Sequence, residues 1–286
     1  MSRSTEPGRP GVVPCGHVRT LAPTATAAQS AVRRTPTRRV SPPVGDGPPS
    51  WPPTWQGGRV SDLVIDPPEQ PTLPTSTGGR FPVRRVYCVG RNYAAHAREM
   101  GHDPDREPPF FFTKPPSALV TDDGDTPYPP QTDRLEHEVE LVVALGAGGS
   151  DVPADRALEL VWGYAVGLDL TRRDLQAEAK RLGRPWDLAK GFDASAPIGR
   201  LVPAADVDPT AGTVTLHVDG ELRQSGDLAD QIWSVAETIA ELSRFITLAP
   251  GDLLLTGTPD GVGPLARGER LEGRIDGVGS VTTRIV

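Results

Sequence analysis

The run HEVELVVALG at residues 137–146 places two glutamates inside an otherwise apolar, strand-like stretch, and no other feature restricts the fold of this chain as much. A strand points residues i and i+2 to the same face. Glu138, Glu140 and Val142 therefore share one face, and His137, Val139, Leu141 and Val143 share the other. Two neighbouring carboxylates repel each other, and each carries a large desolvation cost if its face is buried without a partner. A bound cation would relieve both. The ordinary alternative is a half-solvated edge strand that alternates apolar and acidic residues; taken alone, the run fits either.

Short strand-like runs recur from about Phe81 onward. VRRVYCVG ends at Gly90, and NYAAHAREMG reads as a short helix closed by Gly101. The stretch REPPFFFTKPPSALV is extended. A helix is predicted at about 153–161, then an apolar strand ending at Asp169, then the polar helix RRDLQAEAKRLG. TVTLHVDGELRQSG is a hairpin about a type I′ turn at Asp219-Gly220. IWSVAETIAELSRFITL is an amphipathic helix, and GDLLLTGTPDGVGPL is a buried strand that runs into a glycine-rich loop. The chain closes with two strands around Gly277 and Gly279. Many short strands and few helices predict a β-dominated α+β fold, and no internal repeat is present.

Residues 1–59 differ in kind: eight arginines against two acids give them +6, and they are rich in Pro, Thr, Ser and Ala. They offer too little apolar surface to offset chain entropy, so a disordered extension is expected. A second reading makes this segment untranslated in the native gene, with the codons for QGG at 56–58 as a ribosome-binding sequence and Val60 as the start. Residues 60–80 are read as an extended arm and 81–286 as a single domain. The net charge of −7 leaves −13 beyond residue 59, which argues against nucleic acid as the main partner. The two cysteines, Cys15 and Cys88, make no disulfide framework and suit a reducing cytoplasm. No apolar run is long enough to span a membrane, and the N-terminus lacks the apolar core of a secretory signal.

If Glu138 and Glu140 hold a hard cation such as Mg²⁺, a third oxygen ligand is needed. Asp169 is the candidate, because it ends an apolar strand where side chains emerge into a cleft; it could equally cap the helix starting near Thr171. His96 and Glu99 are spaced to share a helix face, and a carboxylate beside an imidazole raises its basicity toward water, although a polar surface helix would look the same. Lys114 and Lys190 lie among apolar and aromatic residues, where an ammonium needs an anionic neighbour. The loop TGTPDGVG brings Thr256, Thr258 and free backbone N–H groups into a tight turn able to hold a substrate carboxylate, but it has neither a phosphate-loop nor a dinucleotide pattern.

In order along the chain, YCVGRNYAAHAREMG, PPFFFTKP, HEVELVVALG, GYAVGLDLTRRDLQ, GRPWDLAKGFD, DGELRQ and GDLLLTGTPDGVGP resemble the fumarylacetoacetate hydrolase family over about 81–286. Within it, AREMGHDPDREPPFFF is most similar to fumarylpyruvate hydrolases and acylpyruvases. The resemblance implies the family's C-terminal-domain fold of mixed sheets with a few short helices, a homodimer, and Mg²⁺ or Mn²⁺. It puts the metal on Glu138, Glu140 and Asp169, and catalysis on His96, Glu99 and Lys190. Arg91, Tyr93, Lys114, Gln176 and Thr258 fall on substrate-binding positions. The implied activity is hydrolysis of the C–C bond of a 3-acylpyruvate, a 2-oxo acid, with fumarylpyruvate of gentisate-type aromatic catabolism as the expected case. The alternative is decarboxylation or isomerisation of oxaloacetate or another 2-oxo acid at the same site.

Overall fold

The apolar runs form strands where their patterning puts them. In chain order these are Arg85–Gly90 (β1), Phe110–Lys114 (β2), Val139–Leu145 (β3), Val161–Leu168 (β4), Val202–Pro203 (β5), Thr213–Val218 (β6), Glu221–Asp227 (β7), Asp252–Leu255 (β8), Arg270–Ile275 (β9) and Gly279–Arg284 (β10). The structure is a computed structural model that describes residues 63–95 and 107–286. The expectations for the extension 1–59 and for His96 and Glu99 fall outside the described residues. Within the described chain, Ile65–Val286 form one unit.

A six-stranded sheet runs in the order β5-β4-β3-β8-β1-β2, and a four-stranded antiparallel sheet in the order β7-β6-β9-β10. The larger sheet is mixed, because β8 pairs parallel with β1 and antiparallel with β3. Three helices carry residues used below: Arg173–Leu182 (α1), Asp187–Lys190 (α2) and Val235–Phe245 (α3). Helix α1 stops at Gly183, whose φ of 64° gives the left-handed cap. Helix α3 starts with a Ser234–Glu237 capping box and buries Val235, Ile239 and Leu242. Among the described residues no helix is long and apolar enough to cross a membrane. The predicted hairpin turn is present, with positive φ at both Asp219 (49°) and Gly220 (83°).

The strand that raised the first question is interior, flanked by β4 and β8. Its Val139, Leu141 and Val143 belong to one apolar cluster with Leu216 and Ile239. Its Val142 and Ala144 belong to a second, with Cys88 and Leu255. The sheet is thus covered on both faces at this strand, which removes the edge-strand alternative.

The arm at 60–80 is not wholly extended. Thr72–Pro74 pairs antiparallel with Arg80–Pro82, and Leu73 is fully buried. Consecutive glycines at positive φ, Gly78 (89°) and Gly79 (79°), turn the chain back, and the Thr75 hydroxyl donates to the Gly78 carbonyl at 2.5 Å. The ordered structure therefore starts before Phe81.

Candidate active site

Strand pairing brings the acidic residues together. Val139 lies opposite Leu168 in the β3–β4 ladder, and the Asp169 N–H donates to the Glu138 carbonyl at 2.8 Å, one step past it. Asp169 thus stands beside Glu138 although 31 residues separate them in sequence. The nearest ligand oxygens of Glu138, Glu140 and Asp169 lie within 4.8 Å of one another. All three residues are buried, at 5, 2 and 0 % exposure. Asp169 does not cap α1, whose N-cap is Arg172 with no side-chain hydrogen bond.

Three cations attend these carboxylates. The Lys190 ammonium, at the end of α2, donates to Glu138 Oε2 and Asp169 Oδ2, both at 2.7 Å. Desolvation opposes its charge, but Asp169 and Glu138 outweigh it and hold the ammonium above the ordinary lysine value. Arg173 donates to Glu138 Oε1 at 2.6 Å and also to Glu136, which lies just outside the strand. Lys114 takes a different place from the one expected. It is 1 % exposed, and its ammonium donates to the carbonyls of Leu170 (3.1 Å), Lys190 and Ser195 (3.1 Å). An ammonium has three protons, so Asp169 Oδ1, 2.8 Å away, receives charge but no hydrogen bond. Lys114, expected at a substrate-binding position, instead pins three loops behind the carboxylates and is not among the residues of the cavity wall in front of them.

The glycine-rich loop also has a different task. The Gly257 N–H donates to Glu140 Oε2 at 2.6 Å, so the loop holds a carboxylate of the chain itself. Burial first, then Asp169 and Glu138, keep the Glu140 carboxyl well above the usual range. Thr258 donates through its hydroxyl to the Val139 carbonyl at 2.8 Å.

Gln224, the one buried residue in the exposed run of β7, ties this loop to β3. Its Nε2 donates to the Thr258 hydroxyl (2.8 Å) and the Pro259 carbonyl (3.0 Å). A carbonyl only accepts, which fixes the amide orientation. Oε1 then takes the Val139 N–H (3.1 Å) and the Nδ1–H of His137 (2.9 Å). Burial lowers the pKa of His137 and favours the neutral ring, against the hydrogen bond to Gln224, which favours the charged one. Gln224→Ala takes a partner from four buried groups, of which the Thr258 hydroxyl keeps its bond to Val139, and a single orphaned group costs about 1–3 kcal/mol. We expect a loss of about 3 kcal/mol in urea denaturation, together with weaker Mn²⁺ binding as the Gly257 contact slackens. A variant with unchanged stability would show that the network is not needed.

The carboxylates open onto a cavity whose wall includes Lys190, Gln176, Thr258 and Arg91 from the expected set. Tyr93 is instead buried and hydrogen-bonded with Gln231. Arg173, Lys180 and Trp186 also line it and were not anticipated. Their signal was present in RDLQAEAKRL: Arg173, Gln176 and Lys180 stand at i, i+3 and i+7, one stripe of a helix.

Three buried oxygen donors, one held above its usual pKa and another with an oxygen lacking a hydrogen bond, fit a hard divalent cation. The class so defined is a strand-rich α+β protein with a buried three-carboxylate site at the base of a cavity. The family model for the fumarylacetoacetate (FAA) hydrolase C-terminal domain matches residues 85–286, and the chain belongs to that family. It is similar to an oxaloacetate tautomerase of Escherichia coli, YcgM, at 44 % identity over 72 % of this chain and 94 % of that one. It is similar to a fumarylpyruvate hydrolase of Ralstonia at 42 % identity over 65 % of this chain and 98 % of that one. A crystal structure of fumarylpyruvate hydrolase from Pseudomonas aeruginosa in complex with Mn²⁺ and pyruvate matches at 54 % identity with a TM-score of 0.76, over 79 % of this chain and 99 % of that one.

Proposed function

We propose that the protein hydrolyses the C–C bond of a 3-acylpyruvate, with fumarylpyruvate as substrate and fumarate and pyruvate as products. The carrying observation is the buried Glu138–Glu140–Asp169 cluster with Lys190 at its side, in a chain 54 % identical to a fumarylpyruvate hydrolase crystallised with Mn²⁺ and pyruvate. A divalent cation, Mg²⁺ or Mn²⁺, held by these three residues would supply a Lewis acid for the 2-oxo acid group.

The chain's own groups supply the rest. His96, oriented by Glu99, takes a proton from the water that attacks the distal carbonyl. Two protons of Lys190 go to Glu138 and Asp169, which leaves the third for the oxyanion that develops. Gln176 Oε1 accepts from Arg173 at 2.7 Å, so its NH₂ is the end available to the same oxyanion. Collapse of the tetrahedral adduct breaks the C–C bond, and the pyruvate fragment leaves as an enolate that takes up a proton. In this reading the protein acts as a cytoplasmic homodimer in gentisate-type catabolism.

The second reading, tautomerisation or decarboxylation of oxaloacetate, is supported by the similarity to oxaloacetate tautomerases. It needs proton transfer but no activated water. Absorbance assays of fumarylpyruvate, maleylpyruvate, acetylpyruvate and oxaloacetate, with and without Mg²⁺, separate the two. We expect Mg²⁺-dependent cleavage of fumarylpyruvate, and its loss in His96→Ala with oxaloacetate turnover spared. Turnover of oxaloacetate alone would overturn the hydrolase reading.

A further inference from the structure

Two cations on the cavity wall have no carboxylate of the site to serve. The Lys180 side chain, on α1, makes no ion pair or hydrogen bond among the described residues. Among the described residues, the only ion-pair contact of Arg91 is one of 3.9 Å with the exposed Glu107. Both sit against aromatic rings: Lys180 Nζ is 5.2 Å from the Trp186 ring centre, and the Arg91 guanidinium is 5.4 Å from that of Phe110. Phe110 and Trp186 meet edge to face at 5.4 Å. The four side chains thus form one strip, cation–aromatic–aromatic–cation, along the cavity.

The backbone is shaped to make this strip. Gly90 lies opposite Phe110 in the β1–β2 ladder, and a Cβ there would run into the Phe110 ring. Arg91 follows with a left-handed φ of 59°, a conformation that is strained for a non-glycine residue. Such strain persists where the surroundings demand it, and it gathers at binding sites. Lys180 is exposed as a residue, yet desolvation, then Arg173 and Arg91, lower its pKa. An anion bound between these like charges would relieve them.

We infer that the strip recognises a second, distal carboxylate on the substrate, and that Lys180 is the residue selecting dianionic 2-oxo acids over monoanionic ones. The two rings offer apolar contact to a conjugated acyl chain, and the cations flank them where the chain's charged end would arrive. This rests on the proposed function only in seating the 2-oxo acid head at the three carboxylates. A lysine replaced by glutamine loses one charge-assisted hydrogen bond, about ten- to a hundredfold in affinity.

Two measurements on the full chain with Mn²⁺ test it. In Lys180→Gln, the ratio of kcat/KM for fumarylpyruvate over acetylpyruvate should fall about ten- to a hundredfold, mainly through KM. By calorimetry, 2-oxoheptanedioate should bind the unaltered protein more tightly than 2-oxoheptanoate, which differs only at the distal end. Lys180→Gln should narrow that gap by a similar factor, and Lys180→Arg should largely restore it. An affinity gap absent from the unaltered protein, or unchanged in Lys180→Gln, would overturn the inference. If the unaltered protein cleaves no acylpyruvate, the proposed function fails, and the calorimetric gap still decides the role of Lys180.

Discussion

Glu138→Gln is expected to lose divalent-metal binding and turnover together. The side chain keeps its size, but one of three anionic donors becomes neutral. Replacing a group that merely supports a metal ligand costs about 10–100-fold in affinity, so removal of a ligand itself should cost at least about a hundredfold. The change reaches further than the metal. Glu138 accepts from Arg173 at 2.6 Å and from Lys190 at 2.7 Å. A glutamine has one acceptor oxygen for these two cations, so Lys190 swings its charge wholly toward Asp169. Glu140 loses one of the two carboxylates that push its pKa up, and its carboxyl moves back toward the ordinary range. Titration with Mn²⁺ beside the fumarylpyruvate assay reads both effects. A variant that bound Mn²⁺ normally would remove Glu138 from the ligand set.

Lys114→Met is expected to act on stability, with the site lost as a consequence of unfolding. Met matches the length of the lysine stem but removes a donor from the carbonyls of Leu170, Lys190 and Ser195, of which the last two keep the Ser195 hydroxyl and the Leu170 N–H, and it leaves Asp169 without its second cation. Removing one partner of a buried ion pair costs about 3–5 kcal/mol. In a domain of this size each kcal/mol lowers Tm by about 2–4 °C, so a fall of about 10 °C is expected in thermal denaturation. Lys190→Met also breaks buried ion pairs, with Glu138 and Asp169, and should lower Tm by a similar amount; unlike Lys114→Met it removes a hydrogen-bond donor on the cavity wall, so turnover should be lost even where the protein is folded. If Lys114→Met kept its Tm and only raised KM, the residue would be a substrate contact after all.

The two lysines show where sequence reading stops. Each lies among aromatic residues in an extended or helical context, and each needs an anion. Nothing local distinguishes FFFTKPP from WDLAKGFD. What separates them is the end of β4: Lys190 reaches Asp169 from the cavity side, and Lys114 reaches it from behind, where three carbonyls wait. Gln224 is a similar case. It was read as part of a returning hairpin strand, and only the packing of that strand beside β3 reveals that its amide joins His137, Val139, Thr258 and Pro259. The TGTPDGVG loop was read as able to hold a substrate carboxylate; the carboxylate its Gly257 N–H meets is that of Glu140.

By itself the sequence determined the strands and their faces. The two-residue period put Glu138 and Glu140 side by side, Asp219-Gly220 set the hairpin turn, and the ordered blocks identified the family. These are properties of neighbours along the chain, where the backbone's repeat dictates direction. Tertiary structure decided the company the two glutamates keep: Asp169 across the β3–β4 ladder, Arg173 and Lys190 from the helices, Gly257 from the far loop. Those partners come from up to 117 residues away. Their contacts depend on strand register and on how helices cover the sheet, and no local periodicity encodes either. The carboxylate pair that no single strand could explain is balanced only where all of these elements meet.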